Sequence, residues 1–215
     1  MSCGLPLPGP SEDFTIRTVT RADVSVWYHA YNTFAFADTT AFTFAQGWGS
    51  TRFAPIAQAS GKPLHTYYVA STVEAAYMES VLHDIPLSPP GFFEVAKLKH
   101  YHLVRLELPP SLDYVSFHTP DLPRLQNLSR AQLIDSLPAC YPKTRAWAQA
   151  AYLQRPRAQA IGYGSRRNDA ARCLMLFEQR MPATPFRVLS DEPLAIDPRR
   201  GEVLALVRSL RLHQV

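Results

Sequence analysis

Cysteine is scarce in this chain of 215 residues: Cys3, Cys140 and Cys173 are an odd number with no C-x-x-C spacing. That count argues against a disulfide framework and against a zinc knuckle, and it points to a reducing, cytoplasmic setting. No apolar run approaches the roughly 18 to 20 residues that cross a bilayer, so no membrane association is expected. Met1 to Pro10 has no basic start and no long apolar stretch, so neither a secretory leader nor a lipid anchor is expected there. The sequence also lacks G-x-S-x-G, G-x-G-x-x-G and G-x-x-x-x-G-K-[ST], which leaves hydrolase-elbow, Rossmann and P-loop readings without support. No internal repeat of 20 to 50 residues is present.

What is present is the composition of a folded protein. The chain is 47% hydrophobic, 11% aromatic and 19% charged, which excludes a disordered tail and a fibrous repeat. A chain this long buries roughly 70% of the surface its unfolded form exposes, so a single core needs no metal or disulfide to support it. The formal charge is +4, and only 4 of the 22 basic residues are lysine. Arginine's planar fork suits phosphate and carboxylate, so an anionic ligand fits this composition. The basic residues are scattered rather than clustered, and direct nucleic-acid binding is not expected.

Nineteen prolines punctuate the chain. Residues 1–22 read as an irregular arm and 23–215 as one domain. Val24 to Tyr31 and Leu64 to Ala70 read as strands, rich in β-branched and aromatic residues. Ser71-Thr72-Val73-Glu74 matches a capping box and predicts a mostly buried helix running to about His83. Phe92 to Leu108 is strand-like, Ser129 to Leu137 and Thr144 to Leu153 are helical, and Ala158 to Tyr163 and Arg172 to Phe177 are strands. Strands on both sides of a helical middle predict an α+β fold.

Four residues stand out as candidates. Arg52 lies in a turn flanked by glycines, Tyr68 near a strand end, Glu79 on the helix that follows, and Ser165 in a loop opened by Gly164. Taken singly, a turn arginine is ordinarily a solvated charge, a strand tyrosine core, and a loop serine a cap. Glu79 is the least ordinary, because burying a carboxylate costs several kcal/mol unless it is paired; a salt-bridged structural glutamate is the alternative reading. His100 and His102 share a strand face but lack further ligands, so no metal site is expected. Cys173 reads as core.

Three segments together resemble one family. TRFAP (Thr51 to Pro55), YVASTVEAAYMESVLH (Tyr68 to His83) and IGYGSRRND (Ile161 to Asp169) look like the RES domain, named for an arginine, a glutamate and a serine that match Arg52, Glu79 and Ser165. The glutamate eleven positions after the strand tyrosine is the most specific feature, and the likeness spans roughly residues 24 to 190. It departs from the common pattern at Ala54, where many members have asparagine. It departs again at His29, where many carry an arginine and where diphtheria-like transferases use a histidine to hold the NAD ribose.

The resemblance implies an ADP-ribosyltransferase-like fold of mixed sheets with flanking helices. It also implies a toxin that consumes NAD+ by phosphorolysis or hydrolysis of the nicotinamide-ribose bond, with inorganic phosphate as a co-substrate in the first case and no resident cofactor. A protein ADP-ribosyltransferase and a degenerate, partner-binding domain are the alternatives. The implied partner is an antitoxin with an Xre-like helix-turn-helix region; self-association is left open. Glu79 is expected to hold the nicotinamide ribose and stabilise its developing charge, with Arg52 helping to keep it ionised. Arg52 is expected on the pyrophosphate or the attacking phosphate, Tyr68 on the nicotinamide ring, and Ser165 on the nicotinamide amide or a phosphate oxygen, with Arg166 or Arg167 adding charge. His29 is expected to bind substrate.

Overall fold

The computed structural model describes residues 3–36 and 38–215; Met1 and Ser2, at the head of the expected arm, lie outside the described residues. Eight strands form one curled mixed sheet: β1 (Ile16–Thr20), β2 (Trp27–Asn32), β3 (Thr66–Ala70), β5 (Tyr101–Glu107), β6 (Ser111–Ser116), β7 (Ala160–Gly164), β8 (Arg172–Phe177) and β9 (Arg187–Pro193). Their order is β1-β6-β7-β8-β3-β2-β5-β9. Within this sheet, among the described residues, only the β6-β7 pair is parallel. A two-stranded parallel ribbon joins β4 (Phe92–Phe93) to β10 (His213–Gln214). The helices are α1 (Val73–Met78), α2 (Arg130–Leu133), α3 (Tyr141–Gln154) and α4 (Arg199–Ser209). The architecture is α+β, as the order of elements predicts.

Alternation along the central strands divides the core in two, because successive side chains of a strand point to opposite faces. Cys173, Met175 and Phe177 of β8 join Ala70, Ile161 and Tyr163 on one face, beneath α1 and α3 with Tyr77, Leu82 and Trp147. Leu174 and Leu176 join Tyr67, Val69, Trp27, Val104 and Leu106 on the other. Strands buried on both faces need no polar alternation, which is why TYYVA and RCLMLF read as nearly continuous apolar runs.

The site is placed by topology. β3 and β7 both run antiparallel to β8, one on each side of it. They are therefore parallel to each other, and the segments leaving their carboxyl ends, α1 and the Ser165 loop, emerge side by side. Two backbone bonds to the start of β8 tie the exits together: Ser71 N–H donates to the Arg172 carbonyl (2.9 Å) and Ser165 N–H to the Ala171 carbonyl (3.1 Å).

Several expectations are corrected. The arm over residues 1–22 is not irregular throughout: Ile16–Thr20 pairs with β6 as an edge strand. Cys3 and Cys140 form a disulfide, with Cα atoms 5.4 Å apart, which the odd cysteine count had argued against. The arm folds back on α3, where the Lys143 ammonium donates to the Cys3 and Leu5 carbonyls and the Trp147 indole to that of Pro6 (2.9 Å). The N-cap of α1 is Thr72 rather than Ser71; its side chain accepts from the Ala75 amide, while the Ser71 hydroxyl accepts from the Arg172 amide. α1 stops at Met78, with Glu79 as its C-cap, and the chain continues in turns through Asp84.

Candidate active site

The TRFAP turn hangs on one buried ring. Phe53 is fully buried between Phe117 and Tyr163, at ring-centroid distances of 5.5 and 5.1 Å. Behind it, the Thr144 hydroxyl of α3 donates to the Arg52 carbonyl, and Thr51 closes the turn through its amide to the Ala54 carbonyl (2.9 Å). The Arg52 side chain is thereby turned inward to 6% exposure, with its guanidinium 6.0 Å from the Phe53 ring and 5.9 Å from Tyr141. Among the described residues neither Nε nor Nη2 has a hydrogen-bond partner. A buried cation without a carboxylate is costly, so these two nitrogens are poorly satisfied.

Tyr68 stands on the same sheet face. Its hydroxyl shares a 2.8 Å hydrogen bond with the Thr51 hydroxyl, and burial pushes its phenol well above the usual range. The charges of Arg52 and Glu79 act with opposite sign on Tyr68, on the Tyr163 phenol and on the Cys173 thiol, which places both charges around this group. Burial raises Tyr163 and Cys173 as well. No ion pair joins Arg52 to Glu79 among the described residues, so the expected pairing is absent.

Glu79 is held from the Ser165 loop instead. Its Oε1 accepts from the Ser165 hydroxyl at 2.6 Å and from the Arg166 amide at 3.1 Å. The Ser165 oxygen in turn accepts from the amides of Arg167 (3.1 Å) and Asn168 (3.0 Å). With 0% exposure and its hydroxyl fully engaged, Ser165 orients the carboxylate and has no group left for a ligand. No hydrogen bond within the protein reaches Oε2 among the described residues.

The remaining candidates fall outside the cluster. The His29 ring lies 4.0 Å from that of Tyr67 and stacks with Tyr31 at 6.0 Å, across β3 from the Tyr68 phenol; its Nδ1 meets the Tyr68 carbonyl at 2.7 Å. Burial pulls its pKa down to about 4, so the ring is neutral and Nδ1 is the donor. Arg167 is tied to the carbonyls of His83 and Ile85, and Arg166 is exposed. His100 ends a 3-10 turn and His102 pairs with Asp191 at 3.0 Å. Thr51 and Tyr163 went unremarked in the sequence; Tyr163 lies two residues before Ser165 and faces the same side as Tyr68. One hollow of about 520 Å³ opens beside Ser71 and Arg172, and another of about 630 Å³ lies over β1 and β6. Neither is walled by Arg52, Tyr68, Glu79 or Ser165, but the first is lined by Ser71 and Ala170, on the two segments that carry Glu79 and Ser165.

A carboxylate held by one oxygen and an unpartnered guanidinium thus act on the same phenols, Tyr68 and Tyr163. The family model for the RES domain matches residues 20–197. The chain belongs to that family, whose general character is NAD-processing and toxin-associated. A search of curated proteins finds no match. No helix is long and apolar enough to cross a membrane.

Proposed function

We propose that this protein binds NAD+ at the Arg52, Tyr68 and Glu79 cluster and cleaves its nicotinamide-ribose bond. The observation that carries the reading is the division of labour at Glu79: Oε1 is anchored by Ser165 and the Arg166 amide, and Oε2 is free for a ribose hydroxyl. Nicotinamide leaves as a neutral molecule from a cationic ring, so the step needs little acid catalysis. It needs a fixed negative charge beside the oxocarbenium-like ribose, and a carboxylate that does not have to reorganise supplies it. Tyr68, protonated at neutral pH, presents its ring to nicotinamide and orients the breaking bond.

Arg52 takes the pyrophosphate or the attacking phosphate through its guanidinium, whose charge suits an oxyanion. When phosphate attacks, one of its oxygens bonds to the ribose C1″ as the C–N bond breaks, giving ADP-ribose 1″-phosphate and nicotinamide. With water the products are ADP-ribose, nicotinamide and a proton. The protein acts in this reading as the toxin of a pair, restrained by an antitoxin of helix-turn-helix type. Mass spectrometry of NAD+ products with and without phosphate tests it: ADP-ribose 1″-phosphate marks phosphorolysis, ADP-ribose alone marks hydrolysis, label on protein marks transfer, and intact NAD+ refutes the reading.

A further inference from the structure

The loop that fixes Glu79 is itself tied at both ends by a side chain from another element, Arg130. Arg130 is the first residue of α2, whose start is set by a capping box: Ser129 accepts from the Gln132 amide (3.3 Å) and the Gln132 side chain accepts from the Ser129 amide (2.9 Å). From there the Arg130 Nη2 donates to the Ser165 carbonyl at 2.7 Å and to the Asp169 carboxylate at 2.8 Å. Its Nε lies 3.3 Å from the Asp135 carboxylate. One guanidinium therefore clips both ends of the loop, and the three amides between the clipped points are those that hold Glu79 Oε1 and the Ser165 oxygen.

The fit is close. A β-carbon at Gly164 would lie 2.8 Å from the Arg130 Nη1, so a side chain there would displace the guanidinium. Removing the arginine would leave the carbonyl of a fully buried residue without its donor, and a buried carbonyl in that state pulls the backbone toward another partner. The loop would then shift, and with it the amides that aim the carboxylate.

We propose that Arg130 is a positioning residue for Glu79, acting through the Ser165 carbonyl and the amides of Arg166, Arg167 and Asn168 without touching substrate. Only the activity readout of this proposal rests on the NAD-cleaving reading. The test compares Arg130→Ala, Arg130→Lys and Ser165→Ala with the double variant Arg130→Ala/Ser165→Ala, by amide exchange and by steady-state kinetics. In Arg130→Ala, the three loop amides exchange on the order of tenfold faster, while those of β3 and β8 keep their protection. The kcat for NAD+ falls about tenfold or more with KM within about twofold, because a misplaced group costs rate rather than binding. Lysine, which still offers one donor to the carbonyl, restores part of both. The double variant is no slower than Ser165→Ala alone, since both changes release the same carboxylate. Unchanged loop exchange, exchange that rises equally across β3 and β8, or losses that multiply in the double variant would overturn the proposal. If the wild-type protein leaves NAD+ intact, the functional reading fails and the exchange experiment still decides the role of Arg130.

Discussion

The Ser165 hydroxyl donates to Glu79 Oε1 at 2.6 Å while its oxygen accepts two loop amides, so the serine and the glutamate form one unit made by two segments 86 residues apart. This changes what the serine is for. A residue that bound nicotinamide would raise KM when removed; one that aims a carboxylate lowers kcat.

Ser165→Ala is accordingly expected to reduce NAD+ turnover by roughly 10- to 100-fold with little change in KM, by the sensitivity of catalysis to misplacement of a reacting group. Steady-state kinetics over a range of NAD+ concentrations makes the distinction. A rise in KM at unchanged kcat would return the serine to substrate binding.

Arg52 is the reverse case, a residue whose cost to the fold is visible. Two of its nitrogens are buried without partners among the described residues, and replacing such a cation by a neutral side chain of similar length relieves that cost. Arg52→Gln should hold or raise the melting temperature while weakening phosphate and NAD+ binding by about tenfold or more, the scale of one charge-assisted bidentate contact. Calorimetric titration with each ligand, alongside thermal melting, checks both halves. A large melting drop with unchanged affinity would make Arg52 structural.

Acid should destabilise the protein in a defined window. Burial holds the His29 imidazole down to about 4 in the folded chain, against about 6.5 when unfolded. Between those values the unfolded chain binds the extra proton, so the stabilisation is complete above pH 6.5 and is lost as pH falls toward 4. Burial lowers His118 in the same direction. Urea unfolding at pH 7 and at pH 4.5 should show the loss, and His29→Gln should remove on the order of 2 kcal/mol of it. An unchanged pH dependence in His29→Gln would place the effect elsewhere.

The sequence carried the centre of the molecule better than its margins. β8 matches its expected range, and β3 begins two residues inside its own, because strands buried on both faces announce themselves by unbroken β-branched and aromatic runs. β1 and β9 are edge strands with mixed exposure, and α4 buries only Val203 and Val207, so none of them presents a clear period. The end of α1 at Met78 was hidden because Val81 and Leu82 continue the helical spacing of Tyr77 and Met78, yet lie buried in turns. At the site, topology brings Glu79 to Ser165, and Tyr68 to Thr51, the neighbour of Arg52. What spacing could not convey was direction: Ser165 turns to Glu79, Arg52 stays unpaired, and His29 packs on Tyr67, one residue and one sheet face away from Tyr68. The Cys3–Cys140 pair was hidden by a separation of 137 residues.

Nicotinamide release from NAD+ by folded Glu79→Gln, measured beside the wild type at equal concentration, tests the central claim most directly. Glutamine keeps the size of the side chain and an oxygen for Ser165 while removing the charge. The rate should fall on the order of 100-fold or more, as expected when one preorganised charge of about 3 kcal/mol is lost, with the melting temperature close to that of the wild type. Near-normal release from a folded Glu79→Gln protein would contradict the assignment.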